Sequence, residues 1–214
     1  MENHKGVNMV ININDKNFFY QESAETIVDS VIDLFKQGVT NFESYAQWPY
    51  TKKIADDDED IHHFNWYFHV VRSDLKDFTY SFFGLAGRDF CDEPSITVTI
   101  VIPKGKHQKS IKLQRHELFD VVSHELHHLA QNIENNYQER KSDYSGKLSY
   151  LLDPYEIEAF HIGIRAHAAL SDKSFEEVAE EYIKSTWEKG TQDQIIAVVQ
   201  AWKNTDFQVF NKNK

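Results

Sequence analysis

LQRHELFDVVSHELHHLAQNIEN, residues 113–135, has the apolar period of one long helix. On a wheel of 100° per residue, His128 lies about 40° from His124, and the apolar side chains gather within about 60° of the opposite side. Those apolar residues are Leu118, Phe119, Val122, Leu126, Leu129, Ala130 and Ile133. The sequence therefore predicts a helix that packs one face on a core and presents His124 and His128 on the other.

Within this helix, residues 124–128 form an H-E-x-x-H motif. Two imidazoles four residues apart on one helix face can bind one zinc ion, and the intervening Glu125 is free to act as a base. Burial of both histidines in an apolar core is disfavoured, because the apolar residues lie on the other face. Surface histidines without a metal are the alternative. We expect His124 and His128 to be metal ligands.

A catalytic zinc needs a third protein ligand and an open position for water. A second helix is predicted from Asp153-Pro154 to about Leu170, and it carries Glu156 and Glu158 on nearly opposite faces. Small and apolar residues surround Glu156 on the wheel: Ala159, Phe160, Gly163, Ala166, His167 and Leu170. Polar residues surround Glu158, namely His161, Arg165 and Asp172, and they are expected to face solvent.

A face of small residues suits close approach of another helix, so Glu156 is the predicted third ligand. Glu158 is the alternative. Glu156 also completes an Asp153-x-x-Glu156 capping box, which would explain the residue without a metal.

H-E-x-x-H followed by a helix with E-x-x-A resembles the zincin metallopeptidases whose third ligand is a glutamate, including small bacterial and phage ImmA/IrrE-type peptidases. The resemblance covers roughly residues 95–170, by motif and element order. It implies an N-terminal helix and a twisted sheet over the active helix, with Ser95–Ile102 placed where the family's lower edge strand pairs with an extended substrate. The metzincin third histidine and the N-E-x-x-S-D pattern of thermolysin-like enzymes are absent.

The resemblance implies ligands His124, His128 and Glu156 for Zn²⁺, with Glu125 as general base for a zinc-bound water that attacks a peptide bond. The expected activity is that of a zinc metallopeptidase acting on a peptide or protein. The alternatives are a zincin scaffold that binds or regulates with little proteolysis, and an interaction protein with an accidental motif.

Other residues are candidates for supporting roles. Tyr144, Tyr150 and Tyr155 could stabilise the oxyanion, with Tyr150 preferred. Asp120 lies one turn before His124 and could orient it, or could be a solvated acid. A second metal site from His116 and Asp120 is conceivable but disfavoured, since Asp120 shares a face with His124.

The rest of the chain alternates predicted strands and helices and then becomes helical. Strands are expected at Val7–Ile13, Asn65–Val71, Phe78–Leu85 and Ser95–Ile102; helices at Thr26–Gln37, Ser174–Gly190 and Thr191 to about Lys203; and a loop at Asn136–Leu152. The fold class is therefore α+β. We expect a single zincin-like domain over residues 1–214, with a sheet-containing part (1–112), the active helix (113–135) and the glutamate-ligand and C-terminal helices (153–205).

Composition limits the classes of partner and location. With 23 Lys+Arg against 34 Asp+Glu, the formal charge is −11, which disfavours nucleic acid and anionic membranes as partners. Cys91 is the only cysteine, so an intrachain disulfide and a cysteine metal site are both excluded. The polar start, without a signal-peptide pattern, favours a cytoplasmic protein. The acidic run Asp56–Asp60 is expected to be a solvated loop.

Overall fold

A computed structural model of the chain describes residues 21–47, 63–75, 78–135 and 144–205. Helix α1 (Gln21–Gln37) precedes strands β1 (Asn41–Gln47), β2 (His63–Ser73), β3 (Ser81–Arg88) and β4 (Pro94–Pro103). Five helices follow: α2 (Arg115–Glu134), α3 (Lys147–Leu151), α4 (Pro154–Leu170), α5 (Phe175–Thr186) and α6 (Gln192–Lys203). The architecture is α+β, as predicted. The predicted strand at Val7–Ile13 and the acidic run Asp56–Asp60 lie outside the described residues.

The four strands form one mixed sheet in the order β1-β2-β4-β3. Strand β4 pairs parallel with β2 and antiparallel with β3, and β1 pairs antiparallel with β2. The expectation that Ser95–Ile102 occupies a substrate-pairing edge is therefore wrong, because this strand, within β4, is hydrogen-bonded on both sides. The edge strand that lies against α2 is β3.

One face of the sheet packs on α1 and α2 and forms the first hydrophobic core. Strand β4 alternates as predicted, with fully buried Ile96, Val98, Ile100 and Ile102 facing the helices. The apolar face predicted for α2 is confirmed, since six of its seven residues are buried and Ile133 packs against them. The amphipathic period of 113–135 therefore places the helix under the sheet.

Helices α3 to α6 enclose a second core around Phe160 and Trp202, whose rings stack at 4.3 Å between centroids. The Trp202 indole N–H donates to the Leu151 carbonyl at 2.8 Å, which fixes α6 against α3. Helix α4 contributes to both cores, with Ile162 and Ala166 on the sheet side and Phe160 and Ile164 on the other. The two cores thus share α4 as a wall.

The predicted N-caps of α4, α5 and α6 are confirmed. Asp153 accepts a hydrogen bond from the Tyr155 backbone N–H, and capping boxes open α5 (Ser174 with Glu177) and α6 (Thr191 with Gln194). Other bounds differ from the prediction: α1 begins at Gln21 rather than Thr26, β3 covers Ser81–Arg88 rather than Phe78–Leu85, α5 ends at Thr186 rather than Gly190, and part of the predicted loop 136–152 is helix α3. No helix among the described residues is long and apolar enough to cross a membrane.

Candidate metal centre

Helices α2 and α4 bring His124, His128 and Glu156 together beneath the sheet. One ligand atom from each residue lies within 4.8 Å of the other two, a group that could hold a metal ion. Glu156 Oε2 lies 3.6 Å from His124 Nε2 and 3.3 Å from His128 Nε2. Two histidines and one carboxylate are the donor set of many catalytic zinc sites.

Close helix packing makes this convergence possible. A Cβ atom added at Gly163 of α4 would lie 2.2 Å from Asp120 Oδ1 and 2.9 Å from the Asp120 backbone oxygen on α2. No larger residue fits there without separating the helices. The small face expected around Glu156 is thus the face that meets α2.

The electrostatics of the three residues favour a bound cation. Burial opposes ionisation of Glu156, but hydrogen bonds with His124 and His128 hold the pKa of its carboxyl well below the usual value. Burial likewise opposes the charged form of His128, yet the Glu156 carboxylate raises the pKa of that imidazole. The centre therefore holds an ionised carboxylate whose negative charge stabilises a positive charge beside it, either a proton on His128 or a metal ion.

A hydrogen-bond network behind His128 fixes its tautomer. Gln131 Nε2 donates to Glu158 Oε2 at 2.9 Å and to the Tyr155 carbonyl at 3.1 Å, so the amide oxygen of Gln131 must face His128. His128 Nδ1 then donates to Gln131 Oε1 at 2.8 Å. In the neutral imidazole the lone pair is therefore on Nε2, the nitrogen that faces Glu156, whereas in the protonated imidazole Nε2 donates to the Glu156 carboxylate.

Glu158 faces the protein interior, contrary to the expectation of a solvent face. Its side chain is only 16% exposed and contacts His127 Nε2 at 3.3 Å as well as Gln131. His161, also expected in solvent, is buried and its Nδ1 contacts the Trp202 carbonyl at 2.5 Å. The helix wheel misjudged this face because it assumed that polar neighbours meet water, whereas here they bond to one another and to α6. Glu158 belongs to the network that supports His128 rather than to the His-His-Glu group.

Glu125 lies buried beneath edge strand β3. Its carboxylate accepts a hydrogen bond from the Ala86 backbone N–H, and burial raises the pKa of its carboxyl. A Cβ atom at Gly84 would lie only 2.2 Å from Glu125 Cγ, so glycine is required at that position of the strand. A glycine inside an aromatic strand often marks a close approach, so Gly84 itself is a sequence signal for this contact.

Two of the three predicted tyrosines reach the centre. The Tyr144 hydroxyl lies 3.4 Å from Glu156 Oε1, and Tyr150 also hydrogen-bonds to Glu156, with burial as the main cause that raises its pKa. Tyr155 instead stacks its ring on His128 and donates its hydroxyl to Asn132 Oδ1 at 2.5 Å. Its hydroxyl is therefore directed away from the centre.

A residue that the sequence analysis missed, Tyr182 of α5, lies on the other side of Phe160. The Tyr182 ring is 5.3 Å from the Phe160 ring, which packs 4.8 Å from His124. Burial, and then the charges of Asp120, Glu156 and Glu125, raise the pKa of the Tyr182 hydroxyl. No local signal marks Tyr182, because only the packing of α5 on α4 brings it near the motif.

Asp120 contacts His167 of α4, with Oδ2 at 3.5 Å from Nδ1. Its predicted role in orienting His124 is not seen among the described contacts. The His116 and His167 rings lie 4.6 Å apart, yet the described residues form no metal-compatible group there.

Comparison with known protein families, with curated proteins and with solved structures found no match to this chain.

Proposed function

We propose that this chain is a zinc-dependent peptidase of the zincin type. The observation that carries the proposal is the juxtaposition of His124, His128 and Glu156 with Glu125, the glutamate of the motif, at one position beneath a sheet edge. A metal site that served only structure would not need a buried carboxylate held beside the ligands.

The residues present fit zinc, with His124 Nε2, His128 Nε2 and Glu156 as ligands. Zinc bound there would supply a Lewis acid and lower the pKa of a bound water to about 7. Glu125 lies next to the ligands and would accept the proton of the attacking water and then donate it to the leaving amine. Gln131 would keep the His128 lone pair directed at the metal.

Tyr150 is the proposed donor to the oxyanion. Its hydroxyl bonds to Glu156, and it lies close enough to Glu125 for the carboxylate to raise the pKa of the phenol further. The raised pKa keeps the phenol protonated, as a hydrogen-bond donor must be. Tyr144 is the second candidate, because its hydroxyl also reaches Glu156.

Strand β3 is the proposed docking edge for the peptide. It is an edge of the described sheet, and it passes directly over Glu125 at Gly84 and Ala86. An extended peptide that added to this edge would lie across the metal centre, with main-chain hydrogen bonds for affinity. Because these hydrogen bonds involve only the main chain of the peptide, such pairing places few constraints on the amino-acid sequence of the substrate.

The test is cleavage of a proteome-derived peptide mixture by the zinc-loaded chain, followed by mass spectrometry. We expect cleavage by the wild type, loss of cleavage with a chelator, recovery on addition of zinc, and no cleavage by Glu125→Gln. If the zinc-loaded wild type cleaves no peptide and no protein in an extract, the proposed peptidase function is contradicted. A scaffold that binds partners would then be favoured.

A further inference from the structure

A cavity of about 350 Å³ opens beside the metal centre, between the start of β3 and helices α2, α4 and α5. Its walls include Tyr80 and Phe82 on the β3 side, Glu117 and Asp120 of α2, His167 of α4 and Tyr182 of α5. None of the three candidate metal ligands lines it. The cavity is therefore separate from the candidate metal centre.

The cavity has an excess of negative charge. Glu181 is paired with Lys173, whose Nζ lies 2.6 Å from Oε2. Among the described residues, Glu117 accepts a hydrogen bond from the Tyr80 hydroxyl alone, at 2.7 Å, and Asp120 Oδ2 lies 3.5 Å from His167 Nδ1. In the described part of the chain, neither Glu117 nor Asp120 contacts a lysine or arginine. Two carboxylates thus face the cavity without a permanent cation.

Tyr182 provides a second, independent indication that the cavity takes a ligand. Its side chain is partly buried and lines the cavity, and its hydroxyl makes no hydrogen bond within the described residues. The hydroxyl is not sealed off either, since it is absent from the fully buried polar atoms that lack a partner. A partly buried phenol whose hydroxyl is not hydrogen-bonded and lies beside two carboxylates is suited to a polar ligand.

We propose that this cavity is a subsite that binds a lysine or arginine side chain of the substrate. The proposal rests on the peptidase function proposed above and gives it a substrate class: peptides with a cationic residue near the cleaved bond. The apolar walls formed by Phe82, Val121 and Val178 would contact the aliphatic stem, and Glu117, Asp120 and Tyr182 would meet the charged end.

The position of the subsite follows from the register of β3. The cavity lies at Tyr80–Phe82, whereas Glu125 lies beneath Gly84 and Ala86. A peptide extended along β3 advances residue for residue with the strand, at about 3.3 Å each. The cationic residue is therefore expected about two to six positions from the cleaved bond, on the side that lies toward the start of β3.

The experiment titrates the isotope-labelled chain, with zinc present, with N-acetyl-lysine N-methylamide and follows backbone amides by NMR. N-acetyl-norleucine N-methylamide is the uncharged comparison. We expect saturable shifts at Val121, Tyr182 and Ser185 with the lysine probe, and roughly ten-fold weaker binding of the norleucine probe. Asp120→Asn and Glu117→Gln should each weaken lysine binding, whereas Glu188→Gln, which removes an exposed charge outside the cavity, should not.

Equal binding of the two probes, shifts outside the cavity, or no binding at all would overturn the subsite. Because the titration needs no turnover, this failure is distinguishable from failure of the peptidase function. Binding without peptide cleavage would contradict the peptidase and keep the cation site. Peptide cleavage without enrichment of lysine or arginine at any flanking position would support the peptidase function and contradict the cation subsite.

Discussion

Glu125 is placed by contacts that a helix alone does not supply. The Ala86 N–H and the space left by Gly84 hold its carboxylate under β3, while helix geometry sets its distance from His124 and His128. A general base that acts on a metal-bound water must be held precisely. The helix alone fixes the direction of the Glu125 side chain only roughly, so the contacts with β3 are needed as well.

Glu125→Gln tests the proposed role of the base. The amide has the same shape but cannot accept the proton, so we expect zinc content to be unchanged and peptide turnover to fall by roughly 100- to 10,000-fold. Zinc content is read by elemental analysis and turnover with a cleaved peptide from the mixture. Full activity in this variant would contradict the mechanism.

Gly84→Ala tests the close approach of β3 to Glu125. The added methyl group would lie 2.2 Å from Glu125 Cγ and must displace that side chain, so turnover should fall at least ten-fold while zinc remains bound. Gly87→Ala on the same strand is the matched control, because nothing lies within 4 Å of its added Cβ. Equal turnover in the two variants would disprove the constraint.

Gln131→Met tests the support of His128. The substitution keeps most of the volume but removes the acceptor for Nδ1, so we expect zinc affinity to fall roughly 10- to 100-fold. Competition with a zinc chelator measures this, and Gln200→Met at an exposed position of α6 controls for the substitution itself. Unchanged affinity would mean that Gln131 does not orient the imidazole.

At the scale of single residues, the sequence predicts which side chains share a helix face, because the helical period determines this. The period of 3.6 brings His124 and His128 together and separates Glu156 from Glu158, and the structure places Glu156 in the His-His-Glu group. The burial of Glu158 and the positions of Gln131 and Tyr182 depend on contacts between helices. Those contacts have no signature within a single segment.

At the scale of elements, caps and alternation were predictable, whereas neighbours in the sheet were not. The alternation of β4 shows which side chains face the core, but it carries no information about strand order, so β4 could not be distinguished from an edge strand. Strand β1 (NFESYAQ) was not predicted because charged and polar residues interrupt its apolar positions. Its pairing with β2 supplies the stability that its own composition lacks.

Ser174→Ala tests the capping box of α5. The hydroxyl accepts from the Glu177 N–H and the Glu177 carboxylate returns a bond to the Ser174 N–H, so its loss should lower the free energy of unfolding by about 1 kcal/mol. Chemical denaturation measures the change. Ser185→Ala, near the exposed end of the same helix, is the control and should change stability by less than about 0.5 kcal/mol.

At the scale of the whole molecule, the candidate metal centre lies where the two cores meet. His124 and His128 come from the helix that carries the sheet, and Glu156 comes from the wall shared with the C-terminal helices. A metal bound to all three would tie these two parts of the fold together. A metal ion that binds only the folded state increases the free energy of unfolding of the chain.

Zinc is therefore expected to raise the melting temperature. At a free concentration of 100 times Kd the gain is about 2.7 kcal/mol, or roughly 5–10 °C for a chain of this size. Differential scanning calorimetry with zinc and with a chelator measures it. His128→Ala should melt at the same temperature in both conditions, and a persistent zinc effect in that variant would point to binding elsewhere.

The most direct test of the central claim is the zinc content of the purified wild type and of the matched variants Glu156→Gln and Glu158→Gln, after equilibration with a chelator-buffered zinc solution. We predict about one zinc per wild-type chain, retention in Glu158→Gln and loss in Glu156→Gln, with His128→Ala also empty. A wild type that binds no zinc at neutral pH, or that retains zinc in Glu156→Gln and loses it in Glu158→Gln, would contradict the assignment of His124, His128 and Glu156 as the metal centre.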